Sequence, residues 1–360
     1  MLRVIGINAG LLTAVLLAVE LIFGTWLSGP SFGSLNLPRD VERRFAVSDG
    51  DRPGRIAVYT RDRFGLRGRY DNPGDIGIMA LGGSTTNELY VSDGETWTDR
   101  LAENFARAGA ALSVVNAGAE GQSTNGHIRN FAAWFPLIPG LKFRYALAYV
   151  GINDMALGAD GAKSAEEDKF DRMQSPRWDR RLRNHARNNS VLYRLWRTWR
   201  GMGKAKDARL VHTSLDHARF KWVAAPDGGG PVAAPAPESD LARRIAGYRG
   251  RIGILIARIR ARGAEAIIVT QQKSHWRREN GRLLFAADAA GNPDTSGYAE
   301  MVLFNRAAMA ACAEARAICV DLGGEIEFKP GDFYDWVHTT PAGSARIADY
   351  LFAKLKDRVR

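Results

Sequence analysis

From Ile76 onward, short apolar runs alternate with amphipathic stretches, and this pattern restricts the fold of the chain more than any other feature. The runs IGIMAL, LSVVNA, YALAYV, AIIVTQ and ICVDL read as strands. Between them, helices are expected near residues 95–108, 123–134, 238–262, 297–316 and 341–356. Such alternation predicts repeated βα units, hence an α/β protein with a five-stranded parallel sheet. In that architecture, side chains at the carboxyl ends of the strands converge on one crevice, where ligands bind. No internal repeat is evident.

Composition narrows the class. The 360 residues are 46% apolar and 25% charged, so the chain is globular, with one large core or two smaller ones, rather than disordered. A formal charge of +11 suits nucleic acid, anionic lipid or acidic glycan, and charge alone does not choose among them.

The N-terminus adds a constraint. No Lys, Arg or Asp occurs from Val4 to Leu27, and a helix of that length spans about 36 Å, enough to cross a bilayer with some tilt. The stretch exceeds a signal-peptide core and no clear A-x-A site follows it, so residues 1–28 read as a retained membrane anchor, with a cleaved signal peptide as the alternative. A membrane segment disfavours nucleic acid as a partner. Arg3 precedes the span while Arg39, Arg43 and Arg44 follow it, so the positive-inside rule does not orient the chain. Glu20 inside the apolar run calls for protonation, snorkelling, a partner helix or a near-interface position.

Residues 29–75 read as a linker leading into a first hairpin or loop, with RDRFGLRGRY at the domain's edge. Residues 76–360 form the main domain, and the stretch from about 158 to 239 is too long for a βα connection, so it is an insertion beside the crevice. Between Arg177 and Arg209 it carries nine Arg and two Lys against two Asp, interleaved with Trp178, Tyr193, Trp196 and Trp199. This resembles an interfacial helix pressed on anionic lipid. An acidic glycan, or a solvated face with core-packed tryptophans, are the other readings. Residues 224–239 are rich in Gly, Pro and Ala and read as a flexible excursion. Cys312 and Cys319 match no zinc pattern. On one unbroken helix they would lie about 10 Å apart, too far for a disulfide. A bridge would need that helix to end between them; with Cys312 on a helix and Cys319 opening ICVDL, buried thiols are expected and a disulfide is the alternative.

Four segments carry chemistry. In ALGGSTT, Gly82 and Gly83 permit a tight turn that leaves Ser84 at an exposed corner after a strand. A serine hydroxyl is a poor nucleophile until a base takes its proton. In DWVH, one short turn can present Asp335 and His338 together, the carboxylate orienting the imidazole. Gly121 of VVNAGAEG and Asn153 of YVGIND can supply donors to an oxyanion. Taken singly, each is an ordinary turn residue, cap or surface pair. The loop TQQKSHW follows the fourth strand near the crevice, so Gln272, Lys273 and Trp276, with Trp336 of DWVH, are expected substrate contacts. His275 is a rival base without a carboxylate at DxxH spacing.

In this order, ALGGSTT, VVNAGAEG, VGIND and DWVH resemble the blocks of the SGNH hydrolases, the GDSL esterase and lipase superfamily, over approximately residues 76–357. The resemblance implies a three-layer α/β/α fold with Ser84 as nucleophile, His338 as base and Asp335 as its support. It also implies an oxyanion hole from the Ser84 amide, Gly121 and Asn153, with no metal or organic cofactor. The namesake block has Asp before the serine and Leu after it, where this chain has Gly83 and Thr85. GGST forms look like those of envelope-associated members. With the anchor, this implies a domain in the periplasm or exterior acting on O-acyl, especially O-acetyl, esters of envelope carbohydrate or lipid. A carbohydrate O-acyltransferase would use the same residues. A non-catalytic envelope module holding glycan or a partner protein is the reading from another class.

Overall fold

The computed structural model describes residues 2–26, 31–32, 35, 37–49, 52–110, 112–158, 189–207, 212, 220–225, 230–288, 290–295 and 297–359. Residues 177–188 and 208–209 of the basic segment, Trp178 among them, and residues 226–229 of the Gly- and Pro-rich stretch lie outside these.

An apolar helix, α1 (Leu2–Phe23), precedes a hairpin of β1 (Val41–Asp49) and β2 (Arg52–Arg61). There follow β3 (Ile76–Gly82), α2 (Ser84–Asn87), α3 (Trp97–Arg107), β4 (Val114–Asn116), α4 (Thr124–Ala133), β5 (Phe143–Tyr149) and α5 (Ile152–Met155). The insertion contributes α6 (Val191–Asp207) and β6 (Lys221–Ala224). The chain continues through α7 (Asp240–Arg260), β7 (Glu265–Val269), β8 (Trp276–Glu279), β9 (Arg282–Ala287), α8 (Tyr298–Glu314), β10 (Ile318–Val320), α9 (Leu322–Glu325) and α10 (Pro341–Leu355).

The five expected strands form one parallel sheet in the order β10-β7-β5-β3-β4. Helices cover both faces. Met79 and Leu81 of β3 pack with Ile128 and Phe131 of α4, Ile252 and Leu255 of α7 and Phe304 of α8. Their neighbours Ile78 and Ala80 point the other way, onto Trp97 and Phe105 of α3 and Ile347 and Leu351 of α10. Because both faces are buried, every residue of β3 is inaccessible and its sequence reads as a continuous apolar run rather than an alternation. The long helices begin where the chain supplies caps: Thr96, Ser239 and Thr340 each accept a backbone N–H of the first turn.

One expectation is corrected here. Cys312 and Cys319 form a disulfide with a Cα separation of 5.9 Å, not two buried thiols. Helix α8 stops at Glu314, Arg316 adopts a left-handed φ of 51°, and the reversal brings β10 back beside the helix that it left. The segment RDRFGLRGRY is at the sheet's edge, paired through Arg67 to Asn116 of β4, with Arg61, Leu66 and Arg67 buried and Arg63, Gly68 and Arg69 exposed. The guanidinium of Arg67 donates to the carbonyls of Asn87, Glu88 and Val91, and Arg61 donates to Asn87 and to the carbonyls of Gly65 and Gly118. These forks, with the ion pair of Arg67 to Asp93 (2.6 Å), satisfy the guanidinium donors and so offset the burial of both charges.

A second sheet, of order β6-β9-β8, was not anticipated. Its hairpin turns on Asn280 and Gly281, both at positive φ. That pair is a recognised two-residue hairpin signal. Helix α1 meets the length and apolarity of a membrane span, with mean hydropathy 2.1 and none of its window buried against protein.

Candidate active site

Strand β3 ends at Gly82, and Ser84 opens α2 at the carboxyl end of the sheet. The short helix is pinned from several sides. The indole of Trp97 donates to the Thr85 carbonyl (3.2 Å), the Gln271 amide to the Thr85 hydroxyl (2.8 Å), and the Asn116 amide to the Thr86 carbonyl. Glu88 ends it in a left-handed conformation. The nucleophile's position is therefore set by β4, α3 and the loop after β7 together.

The loop before α10 brings the base. His338 Nε2 lies 2.8 Å from Ser84 Oγ, and its Nδ1 lies 2.7 Å from Asp335 Oδ2. All three groups are buried. The other oxygen of Asp335 accepts the amides of Val337 (2.9 Å) and His338 (2.7 Å). Burial pushes the Asp335 carboxyl upward, but the hydrogen bond and charge of His338 and those two amides outweigh it, so the group sits below its ordinary value and is ionised. With Nδ1–H donating to the carboxylate, Nε2 is free to accept the serine proton. Ser274 holds this loop from outside, its amide donating to the Trp336 carbonyl and its hydroxyl to the Asp335 carbonyl, both at 2.9 Å.

Of the two expected oxyanion donors, Asn153 lies beside the turn before Ser84, and Gly121 precedes the residue whose carbonyl Asn153 reaches. Gly121, at φ +66°, forms the turn from Ala119 to Gln122. Asn153 lies in α5, its side-chain amide donating to the Gln122 carbonyl (2.9 Å). A Cβ at Gly83 would sit 2.0 Å from that amide nitrogen, so Asn153 occupies the space that a side chain before the serine would need. Helix α5 is anchored beneath by Asp154, fully buried against Arg251 (3.0 Å) and the Thr124 hydroxyl (2.5 Å). The Ile152 amide donates to Gln271 (2.8 Å).

The expected substrate contacts divide. Gln272 and Trp276 are 2% and 4% exposed and serve packing: the Gln272 amide donates to the Trp276 carbonyl, and the Trp276 ring meets Tyr298 edge-on. Lys273 is half-buried beside Gly297. Trp336 is half-buried beside Asp335, stacked on His275 at 4.1 Å and flanked by Phe220 of the insertion. His275 lies 3.9 Å from Asp294, a carboxylate that follows it in sequence rather than preceding it at DxxH spacing.

Three features were missed by sequence reasoning. His212, within the insertion, stacks on His338 with centroids 4.0 Å apart, bonded to the Tyr334 hydroxyl (2.7 Å) and Glu120 (3.2 Å). His212 follows the basic segment with no motif around it that signals this. Arg61 and Arg67 are the second feature. The third is Glu88, whose carboxylate accepts the Trp97 amide (2.7 Å) and the hydroxyls of Thr339 (3.2 Å) and Ser344. It links the end of the serine's helix to the residue after His338. Burial raises its pKa to about 7 despite these donors. His212, Asp335 and His338 bring ligand-type atoms within 4.8 Å of one another. Their nitrogens are already engaged with Tyr334, Glu120, Asp335 and Ser84, and stacked rings direct lone pairs in parallel planes, so the set does not fit a metal.

A five-stranded parallel α/β fold carrying a buried serine, histidine and aspartate in hydrogen-bonded sequence defines a serine hydrolase acting on ester bonds. The chain belongs to the GDSL-like Lipase/Acylhydrolase family, which it matches over residues 80–346. Among solved structures it is similar to LAE5, an alpha/beta hydrolase from the metagenome of Lake Arreo, Spain (17% identity, 79% of this chain and 96% of that one, TM-score 0.40). It is also similar to the esterase EstA from Pseudoalteromonas sp. (11%, 79% and 97%, 0.39). A third is an Axe2 mutant, an acetyl-xylooligosaccharide esterase from Geobacillus Stearmophilus (12%, 80% and 97%, 0.41). The family assignment rests on the family match alone. Among curated proteins no sequence matches.

Proposed function

We propose that this chain is a membrane-anchored serine esterase that removes O-acyl groups, especially O-acetyl, from cell-envelope carbohydrate or lipid. Residues 1–28 hold it to the membrane, and residues 76–360 form the catalytic domain with its insertion at about 158–239. Ser84 Oγ attacks the acyl carbonyl while His338 Nε2 takes its proton, and Asp335 stabilises the resulting imidazolium. The Ser84 and Gly121 amides and the Asn153 side chain receive the oxyanion. His338 then protonates the departing alcohol, and water, activated in the same way, releases the acid. Trp336 and Lys273 flank the bound alcohol.

The hydrogen-bonded chain from Ser84 through His338 to Asp335, at 2.8 and 2.7 Å, carries this reading. The disulfide supports a periplasmic or exterior location, because such bonds persist in oxidising compartments. Turnover of p-nitrophenyl acetate by the wild type and its loss in Ser84→Ala is the test. Equal slow rates for both proteins would leave only a binding module. Acylated glycan formed in excess of free acid would assign transfer rather than hydrolysis.

A further inference from the structure

Glu20 lies in the last turn of α1, where an ionised carboxylate is unfavourable in lipid unless it is paired or at an interface. Its partners are at the start of α6 and at Trp26. The carboxylate accepts the amides of Val191 (3.1 Å) and Leu192 (3.2 Å), the hydroxyl of Ser190 (2.5 Å) and, from its own side, the indole N–H of Trp26 (3.0 Å). Glu20 thus caps the amino end of α6, where free N–H groups and the helix dipole favour an anion. In return, the Arg194 guanidinium donates to the Phe23 carbonyl (2.9 Å) at the end of α1, and Thr25 bonds Asn189 through both backbone (3.0 Å) and side chain (2.8 Å). Two helices distant in sequence are joined end to end by charge-assisted bonds.

Helix α6 has a face that is exposed among the described residues. Leu192, Leu195, Trp196, Trp199 and Met202 recur at helical spacing, within an arc of about 120°. Leu195, Trp196, Trp199 and Met202 are 61%, 47%, 76% and 65% exposed. Arg194 lies off the stripe, and Arg200 reaches over the Trp196 ring at 5.3 Å. Apolar residues rimmed by arginine and tryptophan match the boundary between acyl chains and anionic headgroups.

We propose that α6 is an interfacial helix lying on the same bilayer that α1 crosses, with its Leu-Trp-Met face in the headgroup boundary and Glu20 as the pin that sets its level. The proposal rests on α1 being a retained anchor. Continuity with that anchor selects a lipid surface over a soluble glycan, since the capped end of α6 is held at the membrane boundary. Two attachments, one crossing and one lying flat, fix the orientation of the catalytic domain as a single span cannot.

The test uses the full chain in vesicles of phosphatidylcholine and phosphatidylglycerol at roughly two to one, with and without lipid brominated near the headgroup end of its acyl chains. The emission difference between wild type and Trp196→Phe/Trp199→Phe isolates those two indoles, and Trp26→Phe does the same for the anchor's end. The brominated lipid is expected to quench more than about half of the Trp196 and Trp199 emission. Glu20→Ala is expected to reduce that fraction at least about twofold while Trp26 stays quenched, because the anchor remains inserted. Quenching of Trp26 without quenching of Trp196 and Trp199 overturns the interfacial helix but not the anchor. Protection of those two from iodide by a soluble acidic polysaccharide would then assign the face to glycan. Absence of quenching at all three positions removes the anchor and the proposal together.

Discussion

Replacing Glu88 with Gln should flatten the dependence of stability on pH in a calculable way. The carboxyl is buried beneath the residue that follows His338 and titrates at about 7 in the fold, against about 4.3 in an unfolded chain. A raised carboxyl pKa means that the folded state binds the proton more tightly. Its contribution is therefore fully present below the unfolded value and is lost as pH rises through 7. The span between the two values corresponds to roughly 3–4 kcal/mol, of which on the order of 3 falls between pH 5 and pH 8. Glutamine keeps the geometry: its carbonyl can accept the Trp97 amide, and its NH2 can donate to the hydroxyls of Thr339 and Ser344. Urea denaturation of both proteins at pH 5 and pH 8 measures the effect. The wild type should lose on the order of 3 kcal/mol more than Glu88→Gln over this interval. Parallel profiles would refute the assignment of a neutral buried acid at pH 5. A profile in which Glu88→Gln is the steeper would reverse its sign.

Gly83→Ala places a methyl 2.0 Å from the Asn153 amide nitrogen, and displacing one oxyanion donor should lower kcat about 10²–10³-fold. The double variant with Asn153→Ala should be no slower than the slower single variant, because both changes remove the same donor. Asp335→Asn should reduce kcat by roughly 10⁴ with the fold intact, as the wrong imidazole tautomer is stabilised, and circular dichroism separates this from unfolding. His212→Ala strips the ring that stacks on His338, and a fall of about tenfold in kcat/KM, near 1.4 kcal/mol, is expected in steady-state assays. Converting Cys312 and Cys319 to serine opens a loop of sequence separation 7, which should reduce stability by about 2.5 kcal/mol on the chain-entropy account, read from denaturant midpoints.

Strand runs, helical periodicity and caps are local properties, and the chain's own sequence determined them: the five strands fall where continuous apolar runs required cover on both faces. The four catalytic blocks were legible for the same reason, since a tight turn, a DxxH pair and strand-end glycines constrain only their neighbours. One local sign went unread, the Asn280-Gly281 pair that turns the β8–β9 hairpin. What only the tertiary structure decided are interactions whose energy depends on distant partners. Arg61, Arg67 and Glu88 look like surface charges until the fold brings Arg67 the carbonyls of the turn after Ser84, Arg61 those of Gly65 and Gly118, and Glu88 the hydroxyls of Thr339 and Ser344. Cys312 and Cys319 meet because α8 ends between them, and Gln272 and Trp276 face inward because β8 starts there. Glu20 finds its role only when the amino end of a helix 170 residues further along arrives to receive its charge. A side chain's type fixes what bonds it needs, whereas the assembled fold alone fixes which groups are near enough to supply them.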